Sequence, residues 1–119
     1  MANDGMDARA NDGLTGTLGE EVALIERHVA VLDAVVRHQP IGVIRLAREA
    51  GLRDHEVRYS LRMLERGGLI RPTPDGAVAT KSAKRILPHL RSALAELGNR
   101  LIVAAHETHE IEEGTGRPP

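Results

Sequence analysis

Leu46-Ala47-Arg48-Glu49-Ala50-Gly51-Leu52 is followed, four residues later, by Val57, then by Leu61 and Leu64, and then by Gly67-Gly68-Leu69-Ile70. This stretch decides the fold. Gly42 can open a short helix over 43–50, and Gly51 suits the position just past its end, where the chain turns left-handed. Ala47 is small at the place where two helices must cross closely. Asp54 can cap a third helix, about 54–66, whose inward face is Val57, Leu61 and Leu64, spaced 4 and 3 as one helix face requires. Gly67-Gly68 ends it. Leu69-Ile70-Arg71 and Ala77-Val78-Ala79 then read as two short strands. Thr73-Pro74-Asp75-Gly76 lies between them as a tight turn, with Pro presetting one dihedral and Gly tolerating positive φ.

In these residues the chain resembles the winged helix-turn-helix family of transcriptional regulators. The pattern is LAxxxGLxxxxVxxxLxxLexxGLI followed by a strand–turn–strand wing, and it covers about residues 40–83. The whole layout resembles small archaeal regulators made of one such domain and a dimerising C-terminal helix. The resemblance implies a mainly α fold with a small β-hairpin wing, and a third helix that reads duplex DNA in the major groove. That helix turns Arg53, His55, Arg58, Tyr59 and Arg62 outward, with Arg58 and Arg62 one turn apart. Arg can donate two hydrogen bonds to guanine O6 and N7, worth roughly 1–3 kcal/mol of discrimination. Tyr59 can donate to a phosphate or touch a thymine methyl. Arg71 on the hairpin and Lys81, Lys84 and Arg85 after it are the nearby cations able to meet phosphates, while the tip of the wing holds no cation and one carboxylate, Asp75. Glu56 would repel phosphate unless it accepts from a cytosine amino group.

Outward from this motif lie two longer helices. Thr17 and Glu20 fit a capping box, and a helix over 18–37 follows, stopped by His38-Gln39-Pro40. It carries two apolar stripes: Val22, Ile25, Val29, Leu32 and Val36, and beside them Leu24, Val31 and Val35. One stripe suffices to pack a helix on a small domain, so two imply burial on both sides, in the domain and against a partner chain. Thr80 can cap a last helical region to about Glu112. Thirty such residues span about 45 Å, and Pro88 is expected to kink or restart the helix. From Leu87 the register reads Leu90, Leu94, Leu97, Leu101, Ala104, Thr108 and Ile111, a heptad seam. An exposed leucine seam invites aggregation, so a homodimer through helices 18–37 and 88–112 is expected. The expected organisation is a disordered tail over 1–16, a winged helix-turn-helix domain over 17–85, a dimerisation helix over 86–112 and a second tail over 113–119.

Composition narrows the function classes. The 119 residues suit one compact domain. There is no Cys, Phe or Trp, and Tyr59 is the only aromatic. This excludes disulfides and thiolate metal sites. It also leaves no stacking platform for single-stranded nucleic acid, which favours duplex DNA. No apolar run approaches the roughly 20 residues of a membrane span, and the first residues hold no signal core, so a cytoplasmic location is expected. The net charge of −1 hides an asymmetry. Residues 1–42 carry three basic and seven acidic side chains, residues 43–100 twelve and six, and residues 101–119 one and four. A basic block between acidic ends suits a nucleic-acid-binding module, though a solvated Arg-rich surface shows the same balance.

No enzyme signature is present. There is no phosphate-cradling glycine loop, and neither Ser60 nor Ser82 has a base beside it in the sequence. His106, His109 and Glu110 share a helix face, but not at the zinc-protease spacing, and read as a polar helix end. His28, His38 and His89 are scattered and read as structural or solvated. No cofactor is called for. The competing reading is a winged-helix protein-interaction adaptor within a transcription or repair assembly.

Overall fold

The computed structural model describes residues 11–116. A π-helical turn, Asn11–Thr15, runs directly into helix α1, Gly16–His38. Helix α2 is Val43–Ala50 and helix α3 is Asp54–Arg66. Strands β1, Ile70–Thr73, and β2, Gly76–Ala79, form an antiparallel hairpin in which Ile70 faces Ala79 and Thr73 faces Gly76. Helix α4 is Lys81–Gly116. The chain is thus mainly helical with one small hairpin following the first three helices. It divides into two compact units, residues 1–83 and 84–119.

In the first unit the turns form as their residues dictate. Gly51 is left-handed, at φ 67°, and the Leu52 N–H reaches back to the Ala47 carbonyl at 2.9 Å, closing α2. Gly68, at φ 75°, does the same for α3, where the Leu69 N–H donates to the Leu64 carbonyl at 2.9 Å. Thr80 opens α4: its hydroxyl accepts the Ala83 N–H at 3.2 Å and donates to the Gly68 carbonyl at 2.6 Å. The core is aliphatic throughout. Val31 and Val35 of α1, Leu46 of α2, Val57 of α3, Ile41 and Ala83 are all but removed from solvent. Each large aliphatic among them contributes about 1.5–3 kcal/mol by burial.

Several details differ from the sequence reading. The capping box at Thr17 and Glu20 does not form, because the helix starts upstream of it. Thr17 lies inside the helical run, where its hydroxyl donates to the Gly13 carbonyl at 2.7 Å. The expected tail over 1–16 is therefore helical from Asn11 onward, and residues 1–10 lie outside the described residues. Of the last expected tail, 113–116 continue α4, and 117–119 lie outside the described residues. Arg53, not Asp54, is the cap of α3, and the Glu56 carboxylate accepts the Arg53 N–H at 3.0 Å. Leu61 is half-buried, and Ser60 takes the fully buried place between Val57 and Leu64.

The two stripes of α1 also divide unequally. Val31 and Val35 enter the core, along with Leu32 and Ala34. Val22, Ile25, Val29 and Val36 stay substantially exposed, and Leu18 extends their line at the same spacing.

The linker between α1 and α2 joins the hairpin through a single-residue bridge. Ile41 pairs with Ala77 through both backbone bonds, Ile41 N–H to Ala77 O at 3.1 Å and Ala77 N–H to Ile41 O at 2.8 Å. Gln39 reinforces it by accepting the Ala79 N–H at 2.8 Å. Gly76 makes this approach possible: a Cβ there would sit 2.6 Å from the Ile41 backbone, and its φ of 130° is one that side chains rarely adopt.

The second unit is the rest of α4. The helix passes through Pro88 without a break. Proline removes the bond its N–H would make to the Lys84 carbonyl, but the strong helix formers around it, Leu87, Leu90, Arg91, Ala93 and Leu94, carry the helix on. The Ser92 hydroxyl donates to the Pro88 carbonyl at 3.2 Å. Leu97, Leu101, Ile102, Val103 and Ile111 are all exposed.

Candidate functional site

Helix α3 is held by one face and leaves the other open. Val57, Ser60 and Leu64 recur every three or four residues and go inward. Arg58 and Arg62, offset from that face, are exposed one turn apart and line a shallow depression with Leu61. Among the described residues neither guanidinium is engaged in an ion pair. Arg53 and His55 are exposed at the start of the same helix. Tyr59 is 39% exposed and lies on the same outward side.

Two residues of α1 tie α3 down. The Arg27 guanidinium meets the Glu56 carboxylate at 3.3 Å. Together with the Arg53 N–H, this engages the carboxylate that would otherwise repel phosphate at the start of the helix. The hydrogen bond from Arg53 is the main reason the Glu56 carboxyl is held below its usual range, with Arg27, His55 and Arg53 adding cationic help. Its charge is thereby engaged within the fold.

The second tie is His28. Its Nδ1 shares a hydrogen bond of 2.8 Å with the hydroxyl of the fully buried Ser60. The imidazole stacks on the Tyr59 ring, with centroids 5.9 Å apart and planes 28° from parallel. The Arg62 guanidinium lies over the Tyr59 ring, 6.0 Å from its centroid. Burial, and secondarily the Arg27 cation, push the His28 ring below its ordinary pKa, so it is neutral at physiological pH.

The remaining candidates sit on other elements. Arg71 is exposed on β1, and Lys81 is the first residue of α4, also exposed. Lys84 is exposed and belongs to the second unit. The turn between the strands is Pro74-Asp75, where the Asp75 N–H donates to the Thr73 hydroxyl at 3.2 Å. In the second unit, His109 pairs with Glu113 at 3.1 Å and Glu112 at 3.9 Å. Among the described residues no group of three or more His, Asp or Glu is gathered to hold a metal ion, and no helix is long and apolar enough to cross a membrane.

Sequence reading placed Arg53 just before one helix and His55, Arg58, Tyr59 and Arg62 on it, and in the structure Arg53 caps α3 while the other four lie on it. It missed Arg27 on α1 and the pairing of Ser60 with His28, a residue it read only as structural or solvated. One signal was available: a Ser at the inward position between Val57 and Leu64 must find a polar partner once buried. Which partner, 32 residues away, has no trace in local spacing. No protein-family model matches the chain, and no curated protein is significantly similar to it.

Proposed function

We propose that the chain is a winged-helix transcriptional regulator that binds duplex DNA sequence-specifically as a homodimer. The observation that carries this reading is the outward face of α3. Arg58 and Arg62 stand exposed one turn apart, outside any ion pair among the described residues, on a helix where one of the three acids, Glu56, is paired with Arg27 of α1. A helix with this face fits the B-DNA major groove, where a bidentate Arg distinguishes guanine. Arg58 and Arg62 read bases. Arg53, His55, Tyr59, Arg71, Lys81 and Lys84 set the register on phosphates and sugars.

The homodimer is supported by the apolar lines left on the surface. Leu18, Val22, Ile25, Val29 and Val36 follow one another at coiled-coil spacing on α1, and Leu97 and Leu101 do so on α4. Glu21 and Glu26 flank the first line, and Arg91 and Arg100 the second. That complementarity favours α1 of one copy against α4 of a second. Two reading helices then meet successive major grooves, about 34–36 Å apart, on a pseudo-palindromic site.

The test is selection from a random duplex pool, with affinity measured at low and physiological salt. The expected result is an enriched palindromic site, with affinity for it lost in an Arg58→Ala, Arg62→Ala double variant. Enrichment without a palindrome removes the dimer. Failure to bind at either salt removes the DNA reading and favours the adaptor reading, which the uncharged Pro74 and acidic Asp75 at the hairpin tip support.

A further inference from the structure

The first unit holds a half-buried, hydrogen-bonded ring that packing alone does not require. His28 could have been any apolar residue had Ser60 been one too. Instead a buried hydroxyl fixes the Nδ1 side of the imidazole at 2.8 Å, and the plane of that ring lies against Tyr59. Tyr59 in turn carries Arg62 on its face. The contacts form one unbroken series from α1 to the outward face of α3: the Ser60 hydroxyl, the His28 ring, the Tyr59 ring, the Arg62 guanidinium.

Each link restricts the next. A hydrogen bond to a fully buried group allows the imidazole little rotation, because turning it away leaves the Ser60 hydroxyl without a partner. A ring fixed in this way offers Tyr59 a flat surface, and offset stacking at 4.5–7 Å is the geometry aromatic pairs favour. A Tyr ring so held presents its negative face to a guanidinium at about the 6 Å limit of a cation–π contact. The long Arg side chain would otherwise sample many rotamers, and immobilising it on binding costs conformational entropy. Restricting it in the free protein reduces that cost. Arg58 has no aromatic contact of this kind among the described residues.

We infer that His28 is a positioning residue for DNA recognition, which acts through Tyr59 to hold Arg62 ready for its base. This rests on the DNA-binding function proposed above and adds to it a residue that touches no DNA. It also makes the two reading arginines unequal, Arg62 being poised from within the fold and Arg58 ordering only on contact.

The experiment uses the full chain and a duplex carrying the site enriched in the selection. Affinities are measured for the wild type, His28→Asn, His28→Phe, Arg62→Ala and the His28→Asn, Arg62→Ala double variant, with melting curves for each. Asn keeps a polar group within reach of Ser60 but loses the stack, and Phe keeps the stack but loses the bond. The expected result is that His28→Asn melts close to the wild type yet binds about fivefold to tenfold more weakly. His28→Phe should bind better than His28→Asn even though it melts lower. In the Arg62→Ala background the His28→Asn change should cost less than twofold, because the residue it works through is gone. Repeating the selection with His28→Asn should flatten the preference at the base read by Arg62 and leave the base read by Arg58 as it was. His28→Asn binding like the wild type overturns the inference and leaves the DNA-binding reading intact, as do losses that multiply independently in the double variant. A wild type that enriches no site overturns both together.

Discussion

Apolar side chains in the two units have opposite fates. In residues 1–83, Leu46 and Val57 are entirely removed from solvent; in residues 84–119, Leu101 is 60% exposed and Ile102 58%. The residue types are the same and both stretches are helical. What differs is the turns. The 39–42 linker and the turn at Gly51 reverse the chain, so α1, α2 and α3 can bury one another's faces. Residues 84–116 contain no turn at all. A helix that never doubles back cannot cover its own leucines. Burial is thus decided by where the backbone can reverse, and only afterwards by which side chains are apolar.

This contrast can be tested by substitution, the largest effect first. Leu46→Ala should destabilise the first unit by about 2–5 kcal/mol, a large part of the 5–15 kcal/mol typical of a whole domain. Leu101→Ala should shift the same chemical denaturation midpoint by an amount equivalent to no more than about 0.5 kcal/mol at dilutions where the chain is monomeric. Equal effects would show that the second unit has a core of its own. Gly76→Ala comes next, at more than about 2 kcal/mol, because it combines a forbidden φ with a backbone collision at Ile41. Hydrogen exchange should show the Ile41 and Ala77 amides losing protection together.

For the second unit, Leu97→Asp with Leu101→Asp should weaken self-association at least tenfold in sedimentation, equivalent to about 1.4 kcal/mol, while leaving the melting of the first unit in place. A smaller effect belongs to Arg27→Ala, which opens an ion pair at the edge of α3 and should cost less than about 1 kcal/mol.

The last effect is a slope with pH. His28 in the folded chain lies below its ordinary 6.5, so the unfolded chain takes up that proton first. The contribution of His28 to stability is therefore full above pH 6.5 and is lost as the pH falls beneath it. Glu56, held below its ordinary 4.5, adds a second decline starting beneath that value. His28→Asn should remove the upper decline in denaturation measured across pH and leave the lower one.

Much of the fold could be read from the residues because its signals are local. Helix α2 spans 43–50 as the glycines on either side of it require, and the hairpin turns where Pro74 and Gly76 allow. The bridge from the linker to the hairpin was not legible. Ile41 stands alone between Pro40 and Gly42 and makes no run of alternating residues. Its pairing depends on a contact with Gly76, 35 positions away, that only the folded chain brings about. Likewise periodicity revealed two stripes on α1 but not which one the core would take, since that depends on where α2 and α3 lie. For the candidate site, the outward arginines were visible from helical spacing. The residues behind them, Arg27, His28 and Ser60, were not, because they act across elements.

Tyr59 has one more consequence. With no Trp and no Phe in 119 residues, this ring is the whole of the protein's near-ultraviolet side-chain absorption and emission. It sits on the outward side of α3, against His28 and beneath Arg62. The rest of the molecule is optically dark at those wavelengths. A change in tyrosine emission on titration with a partner that is itself silent there reports from this one helix face, without a label and without the averaging that usually blurs intrinsic fluorescence.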